Sequence, residues 1–202
     1  MQEAIVISWP ENINDPDAEE LIKLGTMELK IGSFRTEPDE LYAANEWIIP
    51  TTFTVTVTGL FFKSFVEEAG KDVYKLIKSR IKQYILKRRE IKTKLIAADA
   101  SPNKLSKMYD QSLTVSLKAR IHTRLLVNVM ISEKVDDEEG DEMLEGMFQV
   151  LTFLYEDCQQ TLPEENVNMN SRPEEVYLVA NPETRKWDIF TPKQMSEKYR
   201  NT

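Results

Sequence analysis

The sequence predicts an α+β fold: a mostly antiparallel twisted sheet of five to seven strands, covered on one face by helices. Three observations predict it. Apolar residues alternate in several short runs bounded by turn residues, and in one unusually long run over about 112–132. Two other stretches, about 60–97 and about 141–161, carry apolar residues at three-to-four spacing instead, as amphipathic helices do. At 202 residues, 41% hydrophobic and 30% charged, the chain is long enough to bury a core without staples. A single α+β domain over 1–202 is expected, with a C-terminal hairpin and short helix (175–200) as an appendage.

Taken in order, "EAIVISW" (3–9) reads as a short buried strand. A short helix follows, with Asp15 as N-cap, Pro16 at the first helical position and Gly25 as the stop. "TMELKIGSF" alternates again and places Met27, Leu29 and Ile31 on one strand face. Residues 35–50 read as irregular or as holding one helical turn, closing at Pro50. "TTFTVTVTG" is a strand with Phe53, Val55 and Val57 inward and Thr52, Thr54, Thr56 and Thr58 outward, ended by Gly59. The helical pattern from Leu60 to Ala97 puts Phe62, Val66, Ala69, Val73, Ile77, Tyr84, Ile91 and Leu95 on one side, with Gly70 as its weak point. Unbroken, it would be about 55 Å long.

A turn at 99–104 leads to the long run. From Leu113 to Ile131 the odd positions are apolar except Thr123, and no glycine or proline intervenes. A hairpin near His122–Thr123 would lack an Asn-Gly type pair and would have to preserve the odd-position phase. One continuous strand of roughly 60 Å, bulged near Thr123, is therefore expected to lie along the long helix. Beyond the acidic loop, the 141–161 helix presents Leu144, Met147, Phe148, Leu151, Leu154, Tyr155 and Cys158. Two apolar runs around "NPET" (181–184) signal a hairpin. Thr191, Pro192 and Gln194 form a capping-box signature for a terminal helix.

Charge narrows the function. The net charge of -8 disfavours generic nucleic-acid binding, but its distribution is uneven. Lys63–Lys107 holds 13 Lys and Arg against 5 Asp and Glu; residues 132–165 hold 12 acids against one lysine. The single cysteine, Cys158, excludes an intrachain disulfide, and with one histidine there is no zinc set. No signal peptide or membrane-spanning stretch is read, which suggests a cytoplasmic protein without membrane contact. No cofactor motif appears: Val135 occupies the first position of any EF-hand aligned on Gly140, and "EAGKD" lacks the Walker A residues.

Two cationic sets are candidate binding residues for protein or anion. Lys71, Lys75, Lys78, Lys82 and Arg89 share one stripe of the long helix, opposite its apolar side. Lys118, Arg120, His122 and Arg124 occupy consecutive even positions of the long strand, pointing away from the core. A third pattern, "PD" at 16–17 followed by "ELK" at 28–30, resembles the Pro-Asp…Glu-x-Lys element of the restriction-endonuclease-like nuclease superfamily. That resemblance covers some fifteen residues. It implies a metal held by Asp17 and Glu28 with Lys30 near the attacking water. Asp17 falls in a helix rather than a strand, a departure from that pattern.

The expectation is a non-enzymatic interaction or assembly module with opposed basic and acidic surfaces, bound to itself or to a larger protein, without catalytic residues, metal or cofactor. A nucleic-acid or phosphate-binding module is the alternative, and a metal-dependent nuclease the third reading.

Overall fold

Each connection between described strands that contains a described helix leaves the sheet at one end and re-enters it at the other, so the strands it joins run parallel, and that rule shapes the whole topology. The computed structural model describes residues 3–36, 53–66, 71–89, 115–131, 137–161, 173–181 and 184–200. In order these form β1 (Ile5–Pro10), α1 (Pro16–Lys23), β2 (Ile31–Thr36), β3 (Phe53–Thr58), α2 (Gly59–Val66), α3 (Lys71–Arg89), β4 (Val115–His122), β5 (Leu125–Met130), α4 (Asp137–Thr161), β6 (Glu174–Asn181), β7 (Lys186–Phe190) and α5 (Pro192–Arg200). The strands make one seven-stranded sheet in the order β2-β1-β3-β4-β5-β6-β7.

The sheet is mixed rather than mostly antiparallel. β1–β2, β3–β4 and β5–β6 are parallel, and these are the pairs linked through helices. β1–β3, β4–β5 and β6–β7 are antiparallel. Residues from α1, α2, α3 and α4 share one core with Ile5, Ile7, Val55, Val57, Leu117, Ala119 and Val127, so all four helices cover the same face. β1 and β5 run the same way, yet the step from β1 to β2 goes toward one edge and that from β5 to β6 toward the other. Helices on a common face therefore give these two crossovers opposite hands, and one of them is of the rare left-handed kind.

The expected 112–132 strand is a hairpin. Thr123 and Arg124 form a two-residue turn and His122 pairs with Leu125. That pairing alone would set odd residues opposite even ones and flip one strand's apolar face outward. Ile121 has no partner in the ladder, and this bulge shifts the register so that Ala119 meets Val127 and Leu117 meets Val129. The odd-position alternation thus survives a chain reversal. No Asn-Gly pair is needed either: among described non-glycine residues only Arg185, in the β6–β7 turn, has a positive φ.

The expected long helix is also divided, into α2 and α3. The Phe61 and Tyr74 ring centroids lie 4.6 Å apart, whereas thirteen residues of straight helix would hold them about 20 Å apart. Gly59 starts α2 directly from β3; a Cβ there would lie 2.8 Å from the Ile121 carbonyl oxygen, so the bulge and the helix start fit only around glycine. The early part of "TMELKIGSF" is a turn, closed by Leu29 N donating to Thr26 Oγ1 (3.0 Å) and Thr26 N to the Leu29 carbonyl (3.1 Å). Met27 is consequently 90% exposed, while Leu29 and Ile31 are buried as expected.

Other local readings hold. Asp15 caps α1 by accepting from Ala18 N (3.0 Å). Thr191 and Gln194 make the reciprocal capping box at α5: Gln194 N donates to Thr191 Oγ1 (3.3 Å) and Thr191 N to Gln194 Oε1 (2.8 Å). β6 and β7 extend the sheet, and Met195 of α5 packs with Tyr177 and Met130 on the face opposite α1–α4. The expected helix beyond residue 89, the 99–104 turn, the loop at 132–136, the 162–172 connector and the irregular segment past Thr36 lie outside the described residues. Among the described residues, no helix is long and apolar enough to cross a membrane.

Candidate functional site: sheet-face cations and the α1–α3 cleft

The helical stripe is divided by its neighbour. Lys71 and Lys75 are exposed, but Lys78, Lys82 and Arg89 turn toward α4. Lys78 pairs with Glu145 (2.5 Å); Lys82, itself buried, bonds Asp141 (2.9 Å) and Glu145 (3.2 Å). Asp141 and Glu145 lie four apart on α4, so one helical face meets both lysines. Burial opposes ionisation of Glu145, but the hydrogen bonds and charges of Lys78 and Lys82 outweigh it and hold its carboxyl below the usual range. Burial likewise opposes protonation of Lys82, and its two acidic partners reverse that and raise it. Arg89 sits against Gly140, where a Cβ would come within 2.9 Å of its Nη1. The basic and acidic segments are thus partners within one chain.

The strand quartet is divided too. Lys118 and Arg120 project from the face opposite α1–α4 and are exposed. Thr56 and Asn128 flank Lys118 in the ladder; Thr58 and Leu126 flank Arg120. Thr54 and Ser116 join at 3.3 Å one step away. Neither cation has an acidic partner among the described residues. His122 does not join them. Directly opposed residues share a face, and Leu125, its partner, packs on the helical core. The bulge turns His122 inward: it is buried, its Nδ1 accepts from Arg124 N (3.2 Å), and its Nε2 has no partner among the described residues. Arg124 belongs to the turn and is half-buried.

Reading the sequence did not find the most buried charge cluster. Asp15, fully buried, accepts from Tyr84 Oη (2.8 Å) and from Arg88 Nε (3.2 Å) and Nη2. Arg88 Nη2 also reaches Asp17 Oδ2 (2.8 Å), and Lys87 Nζ donates to Asp17 Oδ1 (2.8 Å). The guanidinium lies against the rings of Phe53 (5.2 Å) and Tyr84 (5.1 Å). Burial, with Asp15 beside it, pushes the Tyr84 phenol far up. The hydrogen bond from Lys87 leads the causes that lower Asp17. The one local signal was Asp15 itself as an N-cap; its partners are about 70 residues away.

Beside this cluster a cleft of 440 Å³ separates α1 from α3, lined by Leu21, Leu24, Tyr84, Lys23, Arg80 and Glu20 among others. The nuclease-like trio is not gathered there. Asp17 borders this cleft in its ion pairs, whereas exposed Glu28 lines another with Thr26 and Ser64. Among the described residues, no group of three or more His, Cys, Asp or Glu could hold a metal ion. Neither family models, curated proteins nor solved structures match this chain, so the functional argument rests on its own residues.

Proposed function

We propose that the chain is a non-enzymatic interaction module whose partner, a second copy or a larger protein, docks an acidic surface on the open sheet face around Lys118 and Arg120. The observation that carries this reading is a contrast in pairing. Lys78, Lys82, Lys87 and Arg88 all have carboxylate partners inside the chain, while Lys118 and Arg120 have none among the described residues. In a chain of net charge -8, two such exposed cations on neighbouring outward positions of one strand form a local positive site that an acidic surface would match. The half-buried Thr56 and Asn128, beside Lys118, supply hydrogen-bonding groups at the same level of the sheet.

Nucleic acid is the second reading, favoured by the same two cations. It is the weaker one. Stacking of bases calls for aromatic side chains beside the phosphate contacts. Among the described residues, the exposed aromatic on this face is Phe34 of β2, three strands from β4, or roughly 14 Å at ordinary strand spacing.

Solution mass measured at low and high salt, with and without single-stranded RNA or DNA, tests the proposal on wild-type chain and on Lys118→Glu with Arg120→Glu. A low-salt oligomer that the double variant cannot form supports self-assembly through this face. A wild-type monomer that retains a partner protein the variant loses supports the adaptor form. A complex that appears only with nucleic acid overturns the proposal in favour of the second reading.

A further inference from the structure

The α1–α3 cleft lies on the helical side of the sheet, away from Lys118 and Arg120, and nothing in the interaction reading uses it. Its 440 Å³ falls within the roughly 300–1,000 Å³ of small-molecule sites. Its floor is apolar: Leu21 is buried, Leu24 is half-buried, and the Tyr84 ring is fixed by the hydrogen bond to Asp15.

The polar groups are distributed unequally along it. At one end Lys87 is occupied by Asp17. Lys23, in the last turn of α1, and Arg80, on α3, line it from opposite walls. The Arg80 side chain donates to Gln83 Oε1 (3.2 Å), and neither cation has a carboxylate partner among the described residues. Glu20 also lines the cleft and has no ion-pair partner among the described residues. The groups left over are two cations and one carboxylate on an apolar floor, an excess of one positive charge.

We propose that this cleft binds a small amphipathic monoanion. Its apolar body rests on Leu21, Leu24 and the Tyr84 ring, and its single acidic group lies between Lys23 and Arg80. Glu20 disfavours a second negative charge, which sets the class at one carboxylate, sulfonate or monoanionic phosphate diester rather than a polyanion.

The probe is 8-anilinonaphthalene-1-sulfonate, an aromatic monoanion, titrated by fluorescence against the full chain. Saturable one-to-one binding is expected. Replacing Lys23→Ala with Arg80→Ala should weaken it by about tenfold or more while leaving the melting temperature unchanged, since both side chains are exposed. Lys71→Ala with Lys75→Ala, exposed cations elsewhere on α3, should change it less than about twofold. The neutral analogue N-phenyl-1-naphthylamine, the same body without the sulfonate, should bind about tenfold more weakly than the anion. Equal binding of the two dyes, equal losses in the Lys23/Arg80 and Lys71/Lys75 double variants, or an unsaturable signal would each overturn the proposal. None of these outcomes bears on the sheet-face reading, whose test uses Lys118 and Arg120.

Discussion

Lys82 and Lys118 are the same residue type in one chain and have opposite surroundings. Lys82 lies in the seam between α3 and α4, buried and bonded to two carboxylates. Lys118 stands on an open sheet face between a threonine and an asparagine. The contrast separates two uses of positive charge. In the seam, and more completely around Asp15, cations neutralise acids so that helices can meet. On the sheet face they are unspent. Structural cations should betray themselves by destabilisation when removed, and interaction cations by its absence.

The largest effect is expected at Arg88, whose partner Asp15 is fully buried. Arg88→Ala leaves that carboxylate without its counter-charge and should cost about 3–5 kcal/mol in urea-monitored unfolding. Combining Arg88→Met with Asp15→Asn removes both charges and should recover part of the loss. If Arg88→Ala alone costs less than about 1 kcal/mol, the Asp15 cluster is not what joins α1 to α3.

The seam should respond less, because Asp141 and Glu145 are more than a third exposed. Lys82→Ala is expected to cost about 1–2 kcal/mol, including the packing of its aliphatic stem, and the cost should shrink at high salt. Acid sensitivity has a definite sign here. Glu145 and Asp17 are held below their ordinary values in the folded chain. Their contribution is complete above the unfolded carboxylate range and is lost as pH falls through the depressed folded values, below about pH 4. Glu145→Gln should flatten that part of the stability profile, and a profile identical to wild type would remove the seam from the account.

How far these regions were legible in the sequence follows from how local their causes are. The α1 and α5 caps are settled by residues three apart, Asp15 with Ala18 and Thr191 with Gln194. The Phe53, Val55, Val57 alternation needs only the strand itself. The β4–β5 reversal was hidden because the Ile121 bulge restores the phase that a hairpin of this turn length would otherwise break. One residue hid the turn and also carried His122 from the cationic face into the core. The division of the lysine stripe depended on Asp141 and Glu145, about 60 residues further on, and no pattern within α3 marks which lysines another helix will cover. Of the candidate site, Lys118 and Arg120 were legible as a pair because alternation alone places them together. Their lack of acidic partners became visible only with the sheet assembled.

The smallest expected effect on stability is the most informative about function. Lys118→Ala and Arg120→Ala remove exposed side chains that pair with no described carboxylate, so together they should shift unfolding by no more than about 0.5 kcal/mol. They should nevertheless weaken partner docking and lower its salt dependence, because both charges face the proposed interface. A like-for-like control is Lys71→Ala with Lys75→Ala, equally exposed but on α3: stability and docking should both stay unchanged. If the sheet-face pair instead destabilises the chain by more than 1 kcal/mol, these cations belong with Lys82 as structural charges. The contrast between seam and sheet would then disappear, and with it the reason to place a partner on this face.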